Sequence, residues 1–197
     1  DPRVLIPRPE TELLVDTALD WLHERHDTSH VVDVGTGSGC VAATLARHAP
    51  QANIVAIDSS QDALEIAKQN IDRYELSGQI ILRHDDLLSN HKMPIDLVVA
   101  NPPYIPTQDI NGLMPEVRDY EPRIALDGGA NGLEIIQKLL LQSKSFINSP
   151  GAMIFEIGFD QAAEAKALAL KYFPFSEIKL INDFAGVERI LAIYLDV

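Results

Sequence analysis

Four short apolar runs, each closed by a turn-forming or acidic residue, constrain this chain more than any other feature. Val31 to Val34 runs into Gly35-Thr36-Gly37-Ser38-Gly39, and Asn53 to Ile57 ends on Asp58. Gln79 to Leu82 leads to Asp85-Asp86, and Ile95 to Ala100 runs into Asn101-Pro102-Pro103-Tyr104. Runs of this length and composition fit strands buried on both faces. Between the first three lie segments of helical period: one from about Cys40 to His48, and one capped by Ser60 that carries Ala63, Leu64, Ile66, Ala67 and Ile71. Strands alternating with helices predict a mostly parallel sheet with helices on both faces. In such sheets ligands bind at the carboxyl ends of the strands, so the residues that close the runs are the candidate site.

The remainder completes one doubly wound α/β domain. Residues 1–12 form an extended, proline-punctuated lead-in, and residues 13–197 form the domain itself. Thr11 is placed to cap a first helix with Leu14, Val15, Ala18, Leu19 and Leu22 on its inner face. Tyr104 to about Asn131 is irregular, and a loop of that length inside a compact domain tends to be functional. A helix from about Leu133 to Phe146, a strand Ala152 to Ile157 and a helix from about Gln161 to Tyr172 follow. Two last strands, Ser176 to Ile181 and Arg189 to Leu195, are joined by a connection too short for a parallel crossover, so they form an antiparallel hairpin. The sheet then has seven strands.

The glycine turn after the first strand allows positive φ and close backbone approach, and the helix behind it supplies free N–H groups. Asp58, closing the second strand, can hydrogen-bond both hydroxyls of a ribose, which suits an adenosine-containing cofactor. A dinucleotide fingerprint needs a third glycine where Cys40 stands, and no G-x-x-x-x-G-K-[ST] sequence for ATP is present. Asp33 and Asp58 bring negative charge, which favours a sulfonium cation over a pyrophosphate. Asp86 is placed to reach an adenine amino group. Cys40 reads as a small packed residue, and as the only cysteine it forms no internal disulfide and suits the reducing cytoplasm.

Asn101 offers a neutral amide acceptor that does not titrate near pH 7. Pro102 and Pro103 stiffen the turn, lack N–H groups and keep their carbonyls. Tyr104 adds a flat face with a polar tip. Together they make a rigid acceptor pocket for a planar group carrying NH2. The formal net charge is −13 and no Lys/Arg cluster appears, which disfavours a nucleic-acid partner. His23 and His26 share a helical face that is read as solvated, and no metal is expected. No apolar run approaches a membrane span, so no membrane partner is expected. The chain opens at Asp1-Pro2 without a Met, as a piece of a longer protein would.

These residues resemble the class I S-adenosylmethionine-dependent methyltransferases, which have a Rossmann-like fold. Within them they resemble the HemK-type release factor glutamine methyltransferases. Beyond Asn101-Pro102-Pro103-Tyr104, the resemblance rests on Ile6-Pro7-Arg8-Pro9-Glu10-Thr11-Glu12, Tyr104-Ile105-Pro106, Tyr120-Glu121-Pro122 and Ala125-Leu126-Asp127-Gly128-Gly129. It continues through Gly132-Leu133, Phe155-Glu156-Ile157-Gly158 and Asp183-Phe184-Ala185-Gly186 with Arg189. Asn131 stands where Asp is common in the family, and Leu87 where some relatives place an aromatic. The family also carries a small helical domain ahead of the lead-in.

The resemblance implies S-adenosyl-L-methionine as cofactor, S-adenosyl-L-homocysteine as product, and class 1 peptide chain release factors as partners. The reaction implied is N5-methylation of the glutamine in their Gly-Gly-Gln motif, which modulates translation termination. Asp33, Gly35, Thr36, Gly37, Ser38, Gly39, Asp58, Asp86, Leu87 and Asn101 are the expected cofactor contacts. Asn101, Pro102, Pro103 and Tyr104 are expected to hold the substrate, with Asn101, Pro102 and Tyr104 catalytic. The Asn101 side-chain oxygen and the Pro102 carbonyl each accept one hydrogen of the substrate NH2, and Tyr104 packs on the amide. Glu10 or Glu12 either contacts the cofactor or is an ordinary helix-start acid. Glu121 and Arg123 pair with each other or meet the partner, and Asp183 and Arg189 form a structural ion pair. The alternatives are methylation of a ribosomal-protein glutamine or of an exocyclic NH2 on a nucleic-acid base. A non-catalytic cofactor-binding subunit would have lost Asn101 or the glycines, and both are present.

Overall fold

A computed structural model describes residues 2–25 and 27–195; Asp1, His26, Asp196 and Val197 lie outside the described residues, and with His26 goes half of the expected histidine face. Its frame is a seven-stranded sheet of order β3-β2-β1-β4-β5-β7-β6. The strands are β1 (Ser29–Val34), β2 (Ala52–Asp58), β3 (Ile80–His84), β4 (Ile95–Ala100), β5 (Ile147–Glu156), β6 (Glu177–Asn182) and β7 (Glu188–Leu195). The first five are parallel, while β7 runs antiparallel to both β5 and β6. The expected Rossmann-like architecture with its terminal hairpin is therefore present.

Strand periodicity builds two cores from one sheet. Val31, Ile54, Leu97, Val99, Ala152 and Ile154 face α1 (Glu10–His23), α2 (Cys40–His48) and α3 (Gln61–Arg73). The alternate residues Val32, Val98, Ala100, Met153 and Phe155 pack against α5 (Glu134–Ser143) and α6 (Ala162–Tyr172). Because successive side chains point to opposite faces, a wholly apolar run is what a doubly covered strand requires.

Several local expectations are revised. Thr11 does not cap α1: the helix begins at Glu10 behind Pro9 with no side-chain cap, and Thr11 turns inward, 5% exposed. Ser60 does cap α3, accepting from the Ala63 N–H. β5 starts at Ile147 rather than Ala152, because Ile147 already pairs with Ile95 and the register slips before Leu97 pairs with Ala152. Pro150 and Gly151 lie in that irregular stretch, where a strand tolerates them. The segment after Tyr104 is not structureless. It holds 3₁₀ turns at Ile110–Gly112 and Arg123–Ala125, a short α4 (Pro115–Arg118), and a bridge between Ile105 and Asp127.

The lead-in and this loop are fastened together. Arg8 Nη2 donates to both oxygens of Glu121, at 2.7 and 2.8 Å, and the Glu121 side chain is 4% exposed. Glu121 and Arg123 thus do not pair with each other, since Arg123 reaches Asp127 instead. Asp183 and Arg189 do pair, at 3.2 Å. Arg8→Ala leaves the Glu121 carboxylate buried without its cation, and is expected to lower unfolding free energy by about 1–3 kcal/mol. Loss of the exposed Arg123–Asp127 pair in Arg123→Ala should cost about 0–1 kcal/mol. Urea unfolding of the two variants compares them directly.

Candidate active site

The winding of the sheet reverses between β1 and β4. β1 pairs with both β2 and β4, and the register sets Val34 beside Ala100. Gly35 and Asn101 therefore leave adjacent strand ends and open a crevice between them, as a topological switch point requires. A cavity of about 560 Å³ fills this crevice, a size suited to a small-molecule cofactor.

Its floor is the glycine turn. The Gly35 and Thr36 N–H groups donate to Ile57 O at 2.8 and 2.9 Å, so the turn is stitched to the end of β2. Gly39, at φ +78°, lets α2 approach α3: a Cβ there would lie 3.1 Å from the Ala67 Cβ. Asp33 is 1% exposed, and its Oδ2 accepts the Thr36 hydroxyl at 2.6 Å and the Ala42 N–H at 3.2 Å. Burial pushes its carboxyl up to about 6, against the lowering pull of those two bonds. Asp58 accepts the Gly37 N–H on one oxygen and the Ser60 N–H on the other, both at 2.8 Å. Each Asp58 oxygen retains acceptor capacity toward the cavity.

Of the expected cofactor residues, Asp33, Gly35, Thr36, Gly37, Ser38, Asp58, Asp86, Leu87 and Asn101 all line the cavity, whereas Gly39 does not and serves helix packing. Leu87 sits in the left-handed region at φ 55°, an uncommon conformation for a bulky residue. Leu88 N–H, donating to Gln142 Oε1 at 2.7 Å, helps hold it. Cys40 also lines the cavity, and burial pushes its thiol up, away from thiolate chemistry.

The remaining wall comes from the lead-in, which its proline-rich sequence suggested would lie across the mouth of the pocket, and from the long loop. Val4 and Leu5 of the lead-in and Pro122, Ile124 and Ala125 of the long loop all line the cavity. The Arg8–Glu121 pair clips these two segments together. Glu10 and Glu12 do not line the cavity.

At the far end, the Asn101 Nδ2 donates to Thr11 Oγ1 at 3.1 Å, and Thr11 Oγ1 donates to Glu156 Oε2 at 2.8 Å. Asn101 and Pro103 line the cavity, while Pro102, which is buried, and Tyr104, which is half-buried, do not. Gln161 Nε2 donates to Tyr104 O at 2.8 Å. Gly132, at φ +76°, packs so closely that a Cβ would lie 2.2 Å from the same carbonyl. The turn is thus gripped from several elements. Burial and the nearby Glu156 carboxylate push the Tyr104 phenol up to about 12, so it stays protonated. Among the described residues, no group of three or more His, Cys, Asp and Glu side chains could hold a metal ion, and no helix is long and apolar enough to cross a membrane.

Comparison with known proteins points the same way. Residues 10–114 match the family model described as methyltransferase small domain. The release factor glutamine methyltransferase of Gloeobacter violaceus is 40% identical over 195 residues, covering 98% of this chain and 68% of its own length. That of Rhodopirellula baltica is 40% identical over 197 residues, covering 98% of this chain and 67% of its own. This chain therefore spans about two thirds of these relatives. The solved release-factor-specific protein-(glutamine-N5) methyltransferase of Alicyclobacillus acidocaldarius superimposes with a TM-score of 0.59 at 25% identity, covering 98% of this chain and 95% of that one.

The position of Asp33 generates a pH prediction. A carboxyl raised to about 6 is mostly neutral at pH 5 and mostly ionised at pH 7, and a cationic ligand favours the ionised form. Affinity for S-adenosylmethionine should rise between pH 5 and 7, and Asp33→Asn should flatten that rise. Calorimetric titration at a series of pH values reads both.

Proposed function

This chain belongs to the release factor glutamine methyltransferases, and we propose that it transfers a methyl group from S-adenosylmethionine to the glutamine side-chain amide in the Gly-Gly-Gln motif of class 1 release factors. The observation that carries this reading is the orientation of Asn101. Its nitrogen is engaged by Thr11, which leaves its carbonyl oxygen for the cavity it lines.

The residues fit the cofactor. Asp58 has spare acceptor sites for ribose hydroxyls, Asp86 is exposed beside Leu87 for the adenine edge, and the Gly35–Gly37 backbone admits close approach. Bound there, S-adenosylmethionine supplies an electrophilic methyl group and leaves as S-adenosylhomocysteine.

The chain's own groups deal with the amide. An amide nitrogen is a poor nucleophile because its lone pair is delocalised into the carbonyl. Asn101 Oδ1 and the Pro102 carbonyl each accept one N–H, fixing the nitrogen and favouring the positive charge that grows on it. Orientation of this kind is worth up to about 7–11 kcal/mol in ideal intramolecular cases. Neutral acceptors suffice, because the methylated nitrogen becomes acidic and sheds its proton to water. Tyr104 remains protonated throughout and serves as a platform, not as a base. The formal net charge of −13 favours a protein amide over a nucleobase as acceptor.

The test uses methyl-labelled S-adenosylmethionine with a release factor and with the same factor carrying Ala in place of the Gly-Gly-Gln glutamine. Label is expected only in the first, and equal labelling of both would refute the assignment. In Asn101→Ala, transfer should fall by at least about 100-fold, the scale seen when one preorganised charge-stabilising group is removed. Cofactor affinity in that variant should stay within a few-fold.

A further inference from the structure

The hydroxyl of Thr11 stands between two side chains that the sequence places far apart. It lies 2.8 Å from Glu156 Oε2 and 3.1 Å from Asn101 Nδ2. Glu156 closes β5 and is 1% exposed, and Tyr104 Oη lies 3.4 Å from its other oxygen. A hydroxyl has one proton, and an ionised carboxylate can only accept. With Glu156 ionised, that proton goes to Glu156, and Thr11 presents only lone pairs to Asn101. The Asn101 group that meets Thr11 must be the NH2, because a flipped amide would set two acceptors against each other. Oδ1 is then turned to the cavity. The direction of the chain, Asn101 to Thr11 to Glu156, is set by the one member that cannot donate.

We propose that Thr11 and Glu156 are positioning residues for methyl transfer: their one-directional hydrogen-bond chain holds the Asn101 carbonyl toward the substrate NH2. This rests on the reading of Asn101 as the acceptor of that NH2. A rotation of the Asn101 amide by half a turn would present a donor where an acceptor is needed, so the chain acts on the reacting geometry without touching substrate.

The groups facing Glu156 are Glu10 and Thr11 from α1, Tyr104 from the turn after β4, and Arg189 from β7. Burial raises the Glu156 carboxyl and Glu10 adds to the rise, while Thr11, Tyr104 and Arg189 oppose it. Once protonated, Glu156 can donate to Thr11, Thr11 can donate to Asn101 Oδ1, and the chain runs backwards. Turnover at saturating cofactor therefore falls toward acid pH as Glu156 takes up its proton.

The decisive variant is Thr11→Val, which keeps the shape and removes the hydroxyl. Its kcat on the release factor should fall by about 20-fold or more, a loss of the size expected for one charge-assisted hydrogen bond. The cofactor Kd and the KM for the release factor should stay within about threefold, since neither ground-state complex depends on the chain. Thr11→Ser should recover most of kcat. Glu156→Gln removes the ionised terminus, so its kcat should fall and lose the acid limb of its pH profile. Wild-type kcat in Thr11→Val, or an equal loss in Thr11→Val and Thr11→Ser, would overturn the proposal. If Thr11→Val does not fold, an unaltered acid limb in Glu156→Gln overturns it equally. Asn101→Ala separates the two levels: an active Asn101→Ala sinks the acceptor reading itself, whereas an inactive Asn101→Ala beside a fully active Thr11→Val sinks only the positioning chain.

Discussion

The pairing of β1 with β4 is the constraint on which the rest depends. β1 sends its chain outward to β2 and β3, and β4 takes up its vacant side. Helices α2 and α3 therefore lie over one face, while the segments after β4 return over the other. Two chain segments leave the sheet at adjacent points in opposite senses, and the cavity lies between them. The register that sets Val34 beside Ala100 brings Gly35 and Asn101 to that gap. A slip of one residue would turn every inward side chain of β4 to the other face, and both apolar cores forbid it.

A crevice at a sheet edge is open by construction, and here it is closed by segments distant in sequence. The lead-in and the loop after Tyr104 both line it, and Arg8 with Glu121 ties them. The buried carboxylate makes the tie directional. Glu121 has little water, so the guanidinium fork is its main compensation, and separation of the two segments exposes it. Burial of one partner, rather than the mere presence of a surface ion pair, gives this contact its weight.

Much of this was legible in the residues because the signals were local. β4 was placed from its apolar run to the residue, and the Ser60 cap and the terminal hairpin followed from short-range rules. Asp58 and Asn101 were found because each stands at the end of a strand, and Asp33 because it runs into the glycine turn. What escaped was non-local. Thr11 fits an N-cap by type, but its hydroxyl answers to Glu156, 145 positions away. Arg8 and Glu121 carry no sequence mark of their pairing. Glu156 was visible in principle: it is an acid ending an otherwise apolar strand, the same signal that identified Asp58. The start of β5 escaped because Pro150 and Gly151 read as a stop, and only pairing with Ile95 shows the strand beginning earlier.

The distribution of charge follows the chemistry of an amide acceptor beside a cation. A carboxylate in direct contact with the substrate NH2 would bind it well but would also stabilise the sulfonium ground state, which does not lower the barrier. The turn instead offers neutral carbonyls, from Asn101 and from proline backbone. Beside Asn101 the carboxylate stands one step back. Glu156 meets Asn101 only through Thr11, so a threonine hydroxyl lies between that buried acid and the amide. In the proposed reaction, that arrangement lets a full charge fix the direction of a neutral dipole while the dipole faces the substrate amide. A dipole held in this way needs no reorganisation as charge develops on nitrogen, so its stabilisation is available in the transition state.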